Sequence, residues 1–366
     1  MLYSIPIIIN FLWLINSFNK SRKVRTIRGT IKNFTLYPLA IVILVLFSCL
    51  KDPFVYPDNI TYYYGFINNW EGEETVNFGY LFLNDLVKII WKNFYLFSAI
   101  VAIIINVAYG KFIKDYSPNI WLSLLLFIFI NYYPAFFLLR QYLAMPFVFM
   151  AIKYTIDRNH MMFLLSILLA YSFHTTSLVV FPLYYLYGLS YSKKNIILLT
   201  IITCVGCASL VTIGSFLSNY FPMYAHYLEI NAGEAAWSRA IMKIYIFLVF
   251  IFALGKKSFE DNINKIVLIS MIMCVIICVG AASIYGVYRL RDYYALADFV
   301  GVPIIIKEAN NLRGIKRFLI IFMVLIYILL LAYSFNSFVI SPNMLNDYQM
   351  FWEGVPRERE SIDSMI

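Results

Sequence analysis

Arg140 and Gln141 are the only charged or amide side chains in the run FFLLRQYLAMPFVFM, Phe136–Met150. A guanidinium stays charged at any physiological pH, so Arg140 cannot escape an apolar setting by losing its proton. Other stretches hold side chains of similar interest: Asp58 in YPDNITYYYGF, His174 in YSFHTTSLVV, Arg239 at the head of an apolar run, and Arg289 with Arg291 in IYGVYRLRDYYAL. Guanidiniums match phosphate oxygens bidentately, and in a partly dry site each bond is stronger than in water. A carboxylate or a neutral imidazole beside them can take a proton from a sugar hydroxyl. The Tyr- and Trp-rich segment 51–92 offers flat faces for sugar rings. Together these residue types fit sugar transfer from a lipid-linked phosphate or diphosphate, which would be both leaving group and membrane address. The sequence shows no Gly-rich phosphate loop for a nucleotide-sugar donor.

Each residue also has a local explanation. Arg140 could snorkel to the headgroups. Asp58 could close an Asx-turn after Pro57. His174 could cap a helix starting at Thr175–Thr176. Arg289 could pair with Asp292, three residues on. His160 reads as inert, His226 as open between function and structure, and Glu71, Glu73 and Glu74 as a solvated acidic face.

Composition sets the elements that must hold these residues. Of 366 residues, 62% are hydrophobic and 13% charged, and 30 Tyr with 32 Phe raise the aromatic share to 19%. A soluble domain could not cover that much apolar surface. Runs such as IVLISMIMCVIICVGAASIY are long enough to cross a bilayer, and barrel-type alternation is absent. The expected class is therefore all-α, a polytopic integral membrane protein. The five cysteines, Cys49, Cys204, Cys207, Cys274 and Cys278, fall in apolar runs. Cys204 and Cys207 have C-x-x-C spacing without a second Cys or His pair, so they read as small apolar filler rather than a zinc site. The first apolar run lacks a basic leader and a small-residue cleavage site, so it reads as a span and not a signal peptide.

Hydropathy predicts about twelve spans, near 3–19, 34–50, 93–110, 119–133, 136–152, 161–173, 176–189, 195–217, 239–254, 264–285, 293–306 and 317–339. Those near 119, 161, 176 and 293 are short for a bilayer and read as tilted, broken or re-entrant. The loop KSRKVRTIRGTIK holds six Lys/Arg and is placed in the cytoplasm by the positive-inside rule. Alternation from there puts 19 Lys/Arg and 5 Asp/Glu inside, against 10 Lys/Arg and 15 Asp/Glu outside. The net charge of +9 thus reports orientation rather than nucleic-acid binding. Asp58, Arg140, His174, Arg239, Arg289 and Arg291 all fall at the outer face. Residues 1–340 form one transmembrane domain, to which the outer loops 51–92 and 218–238 contribute, and 341–366 is a polar extracytoplasmic tail. From Gly79 the first loop has the apolar spacing of an amphipathic helix lying on the membrane.

In this order the pieces resemble the EpsG family, bacterial exopolysaccharide and O-antigen polymerases of the Wzy type. The pieces are Asp58 with Tyr62, GYLFLN (Gly79–Asn84), RQYLA (Arg140–Ala144), FHTTSLVVFPLYYL from Phe173, and RLRDYY (Arg289–Tyr294). They run from about residue 50 to 300. One departure is Asn77, where the family commonly has a Glu two residues before the Gly. The resemblance implies a GT-C-like fold in the bacterial inner membrane, with an active site facing the periplasm or cell exterior. A glycan would pass from undecaprenyl diphosphate to a lipid-linked repeat unit, in an inverting, metal-independent transfer without cofactor. It implies Arg140, Arg289 and Arg239 on diphosphate, Arg291 on diphosphate or acceptor phosphate, and Asp58 or His174 on the acceptor proton, with Glu74 as another candidate base. Tyr62, Tyr80 and Tyr293 would lie on glycan, and Gln141 would either hydrogen-bond a glycan or hold Arg140. The implied partners are the lipid-linked donor and acceptor, membrane lipids and a chain-length regulator, with no nucleic acid.

Two other functions share some of these features. An O-antigen ligase-like or modifying transferase would use the same donor with another acceptor. A lipid-linked sugar flippase would place its critical charges near the membrane midplane or along a through-path. The sidedness has a direct check: a reporter inserted in 20–32 is expected to be cytoplasmic and one near 225 extracytoplasmic. The reverse pattern would overturn the orientation.

Overall fold

Inside hydrocarbon a chain must satisfy its own backbone groups, so long apolar runs fold as helices. The computed structural model describes residues 4–18, 23–25, 31–33, 35–52, 57–70, 76–190, 233–281 and 285–340, with most of 192–206. Helices α1 (Ser4–Phe18) and α2 (Tyr37–Cys49) flank a short antiparallel ribbon, β1 (Lys23–Arg25) with β2 (Ile31–Asn33), in which Lys23 faces Asn33. Then come α3 (Pro57–Ile67), α4 (Phe78–Ile90), α5 (Phe94–Tyr116) and α6 (Ile120–Phe127). They are followed by α7 (Leu139–Ile156), α8 (His160–Phe173) and α9 (Pro182–Leu186). The later part holds α10 (Gly233–Leu254), α11 (Lys257–Glu260), α12 (Asn262–Gly280), α13 (Leu296–Phe299), α14 (Gly301–Asn310) and α15 (Gly314–Ile340). The helical class is as expected, apart from the ribbon. The tail 341–366, Glu71, Glu73, Glu74, Cys207 and His226 lie outside the described residues.

Among the described residues, four helices are long and apolar enough to cross a membrane: α5, Trp237–Leu254 of α10, α12, and Gly314–Ser337 of α15. Shorter apolar helices accompany them, including α1, α2 and α8. Nearly every residue of α12 from Ile266 to Cys278 is buried, as befits a helix apolar all round at the centre of a bundle. In contrast, α15 buries Val324, Tyr327 and Leu331 but exposes Phe318, Phe322, Leu325 and Leu329. An apolar face of that extent suits lipid contact.

Several segments read as short spans are broken. After α6 the chain enters a π-turn at Ile128–Tyr132 and a 3-10 turn at Pro134–Phe136 before α7 begins. The 3-10 segment Thr175–Val180 gives way to α9 at Pro182. The region near 293 is divided among a 3-10 segment, Tyr285–Tyr294, and the short helices α13 and α14.

Within 51–92 the described residues form two helices, α3 and α4. The expected amphipathic helix is α4, which buries Gly79, Tyr80, Asn84 and Val87 and exposes Phe78, Phe82, Ile89 and Ile90. Gly79 permits a close approach to α8: a Cβ there would lie 2.5 Å from Ser172 Oγ and 2.9 Å from the Ser172 carbonyl oxygen. Asn77 Nδ2, just before α4, donates to the Tyr171 carbonyl at 3.2 Å. The interior also holds a buried ion pair, Lys243 Nζ to Asp298 Oδ2 at 2.5 Å, which joins α10 to α13. Tyr327 of α15 donates to Asp298 Oδ1 at 2.6 Å and accepts from Lys243 Nζ at 3.0 Å. Pairing of this kind is what lets charge persist inside an apolar bundle.

Candidate functional site

Helix α3, the start of α7, the junction after α8 and the 3-10 segment Tyr285–Tyr294 converge on one cavity of about 190 Å³. It is lined by Asp58, Thr61, Tyr62, Leu138, Arg140, Gln141, His174 and Arg289. Asp58, Thr61 and Tyr62 lie at i, i+3 and i+4 on α3, which gives them one helix face. Asp58 is in the first turn of α3, within the helix rather than in a free Asx-turn. Leu138, Arg140 and Gln141 come from the start of α7.

Two ties fix the entry to α7. Lys51 Nζ and Asn59 Nδ2 both donate to the Phe136 carbonyl, at 2.8 and 2.9 Å. The Lys51 ammonium also sits 4.8 Å from the Phe136 ring centre, and burial pulls its pKa down to about 7. Asn59 follows Asp58 directly, so this bond sets the Asp58 turn of α3 against the helix that carries Arg140.

Arg140 is half-buried, and its Nε is enclosed without a hydrogen-bond partner. Its guanidinium carbon lies 5.7 Å from the centre of the Tyr62 ring. No carboxylate forms an ion pair with Arg140 or Arg289 among the described residues. Arg289 enters from the 3-10 segment Tyr285–Tyr294 and is exposed to the cavity. The local ion pair between Arg289 and Asp292 does not form, because Asp292 is buried against Arg291 instead, at 2.6 Å. His174 occupies the junction between α8 and the segment Thr175–Val180, yet its side chain caps neither element. Its Nδ1 is enclosed and unpartnered. Burial, followed by the charges of Arg140 and Arg289, drives its pKa down to about 4. The cavity thus holds two cations, one carboxylate and a neutral imidazole.

Four residues read from the sequence lie away from this cavity lining. Arg291 donates to Asp292 through Nη2 at 2.6 Å and Nε at 3.2 Å, and to the Tyr288 hydroxyl through Nη1. Its charge is committed to that pair. Arg239 stacks on Tyr288, its guanidinium carbon 4.4 Å from the ring centre. Tyr80 is fully buried behind Tyr62, ring centres 5.7 Å apart, so packing rather than a sugar covers its face. Tyr293 is buried as well and shares a hydrogen bond with Thr176 Oγ1 at 3.1 Å. Gln141 lines the cavity, but its amide donates to the Arg289 carbonyl at 2.8 Å.

Thr61, Leu138, Lys51 and Asn59 were absent from the sequence reading. Thr61 was recoverable from its i+3 spacing to Asp58. A lysine at the end of the apolar run before residue 51 was visible too, but its acceptor is 85 residues away. Asp58 and His174 are the cavity side chains able to ligate a metal, and among the described residues no third His, Cys, Asp or Glu completes a group.

The volume bears on the ligand. Sites that enclose drug-sized molecules measure roughly 300–1,000 Å³. About 190 Å³ suits a phosphate-sized headgroup rather than a glycan. The EpsG family model matches residues 34–350, which span every residue of the cavity. No curated protein and no solved structure matches the chain.

The electrostatics yield a measurable consequence. The folded chain holds His174 neutral below its ordinary value of 6.5, so as pH falls from 7 toward 4 the unfolded chain takes up this proton first. His174 therefore disfavours the folded state increasingly across that window. NMR of the full chain labelled at its three histidines is expected to place the His174 midpoint near 4. A midpoint near 6.5 would contradict the enclosed, cation-flanked placement.

Proposed function

Because the chain belongs to the EpsG family, a Wzy-type polymerase family of membrane glycosyltransferases, we propose that this cavity binds the diphosphate of an undecaprenyl-linked glycan. The proposed reaction is polymerisation: the glycan is transferred to the terminal sugar of an incoming lipid-linked repeat unit. The observation that carries this reading is the meeting of Arg140, Arg289, His174 and Asp58, from four separate segments, around one small cavity.

In the proposed step, a hydroxyl of the acceptor sugar attacks the anomeric carbon of the donor glycan. The bond from that carbon to the diphosphate oxygen breaks, and the lipid diphosphate leaves. Attack opposite the leaving group inverts the anomeric centre. Arg140 and Arg289 stabilise the charge that builds on the departing diphosphate. The acceptor proton passes to Asp58 or to His174 Nδ1. With the cavity open, burial first and then the two guanidiniums make His174 a weak base. A bound diphosphate offsets the guanidinium part of that shift, so the imidazole gains some basicity when the donor is in place. Asn77, where the family commonly has a Glu, supplies no carboxylate.

On this reading the helices form a twelve-span, GT-C-like bundle in the bacterial inner membrane, with the cavity at the periplasmic face. The sugars would extend from the cavity mouth. A chain-length regulator would act on the emerging polymer. The two guanidiniums supply the charge stabilisation for which other transferases use a metal.

Arg140→Ala removes a bidentate, charge-assisted contact worth about 3 kcal/mol, so turnover is expected to fall roughly 100-fold or more. In cells, single repeat units should persist on the carrier or on the lipid A core while long chains disappear. Loss of all surface glycan, with repeat units trapped inside, would point to export instead. Wild-type chain length in the variant would contradict the assignment.

A further inference from the structure

Arg140, Gln141 and Tyr142 are consecutive on α7 and meet three different partners. Arg140 faces the cavity. Gln141 Nε2 donates to the Arg289 carbonyl at 2.8 Å. The Tyr142 hydroxyl donates to Asp292 Oδ2 at 3.3 Å and accepts from Asn131 Nδ2 at 3.0 Å. The other oxygen of Asp292 is held by Arg291. Gln141, Tyr142, Asn131, Arg291 and Asp292 are all buried.

The segment that these groups hold needs holding. Tyr285–Tyr294 is a ten-residue 3-10 run. Such runs rarely exceed three or four residues, because their hydrogen bonds are poorly aligned. Tied at the backbone of Arg289 and at the side chain of Asp292, the run is pinned to α7 at two points three residues apart. A buried polar network is costly wherever packing alone would serve, since each member must be desolvated. Here it joins the two segments that bring guanidiniums to the cavity, 149 residues apart in the chain.

We propose that Gln141 and Asp292 are positioning residues: they fix the Arg289 segment on α7 so that Arg140 and Arg289 grip one diphosphate together. This rests on the diphosphate reading of the cavity. It moves Gln141 from sugar contact to support, and it gives Arg291 a structural charge that locks Asp292 in place.

A double-mutant cycle tests the proposal in the purified full-length protein, with inorganic pyrophosphate as the binding probe and lipid-linked repeat units for turnover. Gln141→Met keeps the bulk and removes the donor. Tyr142→Phe keeps the ring and removes the hydrogen bond from α7 to Asp292, and serves if the first variant fails to fold. Each is expected to weaken pyrophosphate binding and raise KM about tenfold, the scale of one hydrogen bond, with a smaller effect on kcat. In an Arg289→Ala background the same changes should cost nothing further, because there is no guanidinium left to place. Equal losses in both backgrounds, or no loss in either, would overturn the positioning role. If Arg140→Ala and Arg289→Ala bind pyrophosphate as the wild type does, the diphosphate reading fails and the proposal falls with it. If those two lose binding while the cycle is additive, the positioning role alone fails.

Discussion

A guanidinium placed at the start of an apolar helix has no protonation state in which it becomes neutral, so the surrounding structure must either pair it or leave it for a ligand. The protein does both, in different places. Lys243, Asp298 and Tyr327 form a closed group in which cation, carboxylate and hydroxyl meet one another. Arg291 and Asp292 form a second. Arg140 is the contrast, with an enclosed Nε lacking any partner and no ion-paired carboxylate among the described residues. The closed groups give the bundle its internal ties. The open one defines where an anion of outside origin would be most strongly held.

The cavity lies between one face of α3 and three places where regular helices break. Arg140 follows a π-turn and a 3-10 turn, His174 stands between α8 and a 3-10 segment, and Arg289 rides on a longer one. Irregular backbone in a membrane protein is tolerated where it is buried in protein or lines a cavity. Each break here is held by side chains from elsewhere. Lys51 and Asn59 converge on the Phe136 carbonyl, Tyr294 on that of Val179, and Gln141 on that of Arg289. The same ties that satisfy stray carbonyls also set the positions of Asp58, Arg140 and Arg289. Packing and chemistry are therefore coupled through a handful of buried amides and one lysine.

Much of this was legible from residue types. Hydropathy located the apolar helices, the spacing from Gly79 located α4, and a charge set in an apolar run singled out Arg140. His174 and Arg289 were found because polar residues at the ends of apolar runs need a reason. What composition could not supply was long-range pairing. Arg289 and Arg291 look alike in RLRDYY, yet the fold buries one against Asp292 and opens the other to the cavity. Tyr62 and Tyr80 both read as sugar platforms, but both are buried: Tyr62 packs against Trp70 and under Arg140, and the approach of α4 at Gly79 puts Tyr80 behind it. Lys51 stands at the edge of an apolar run, where nothing in the sequence gives it a role. Only its bond to a carbonyl 85 residues away gives it a task.

The most direct measurement is a structure of the full-length protein determined with undecaprenyl diphosphate. Both phosphates should lie in the cavity within hydrogen-bonding distance of the Arg140 and Arg289 guanidiniums, with the lipid tail running out against the apolar surface. A headgroup bound elsewhere, with the space between those two arginines holding only solvent, would contradict the account.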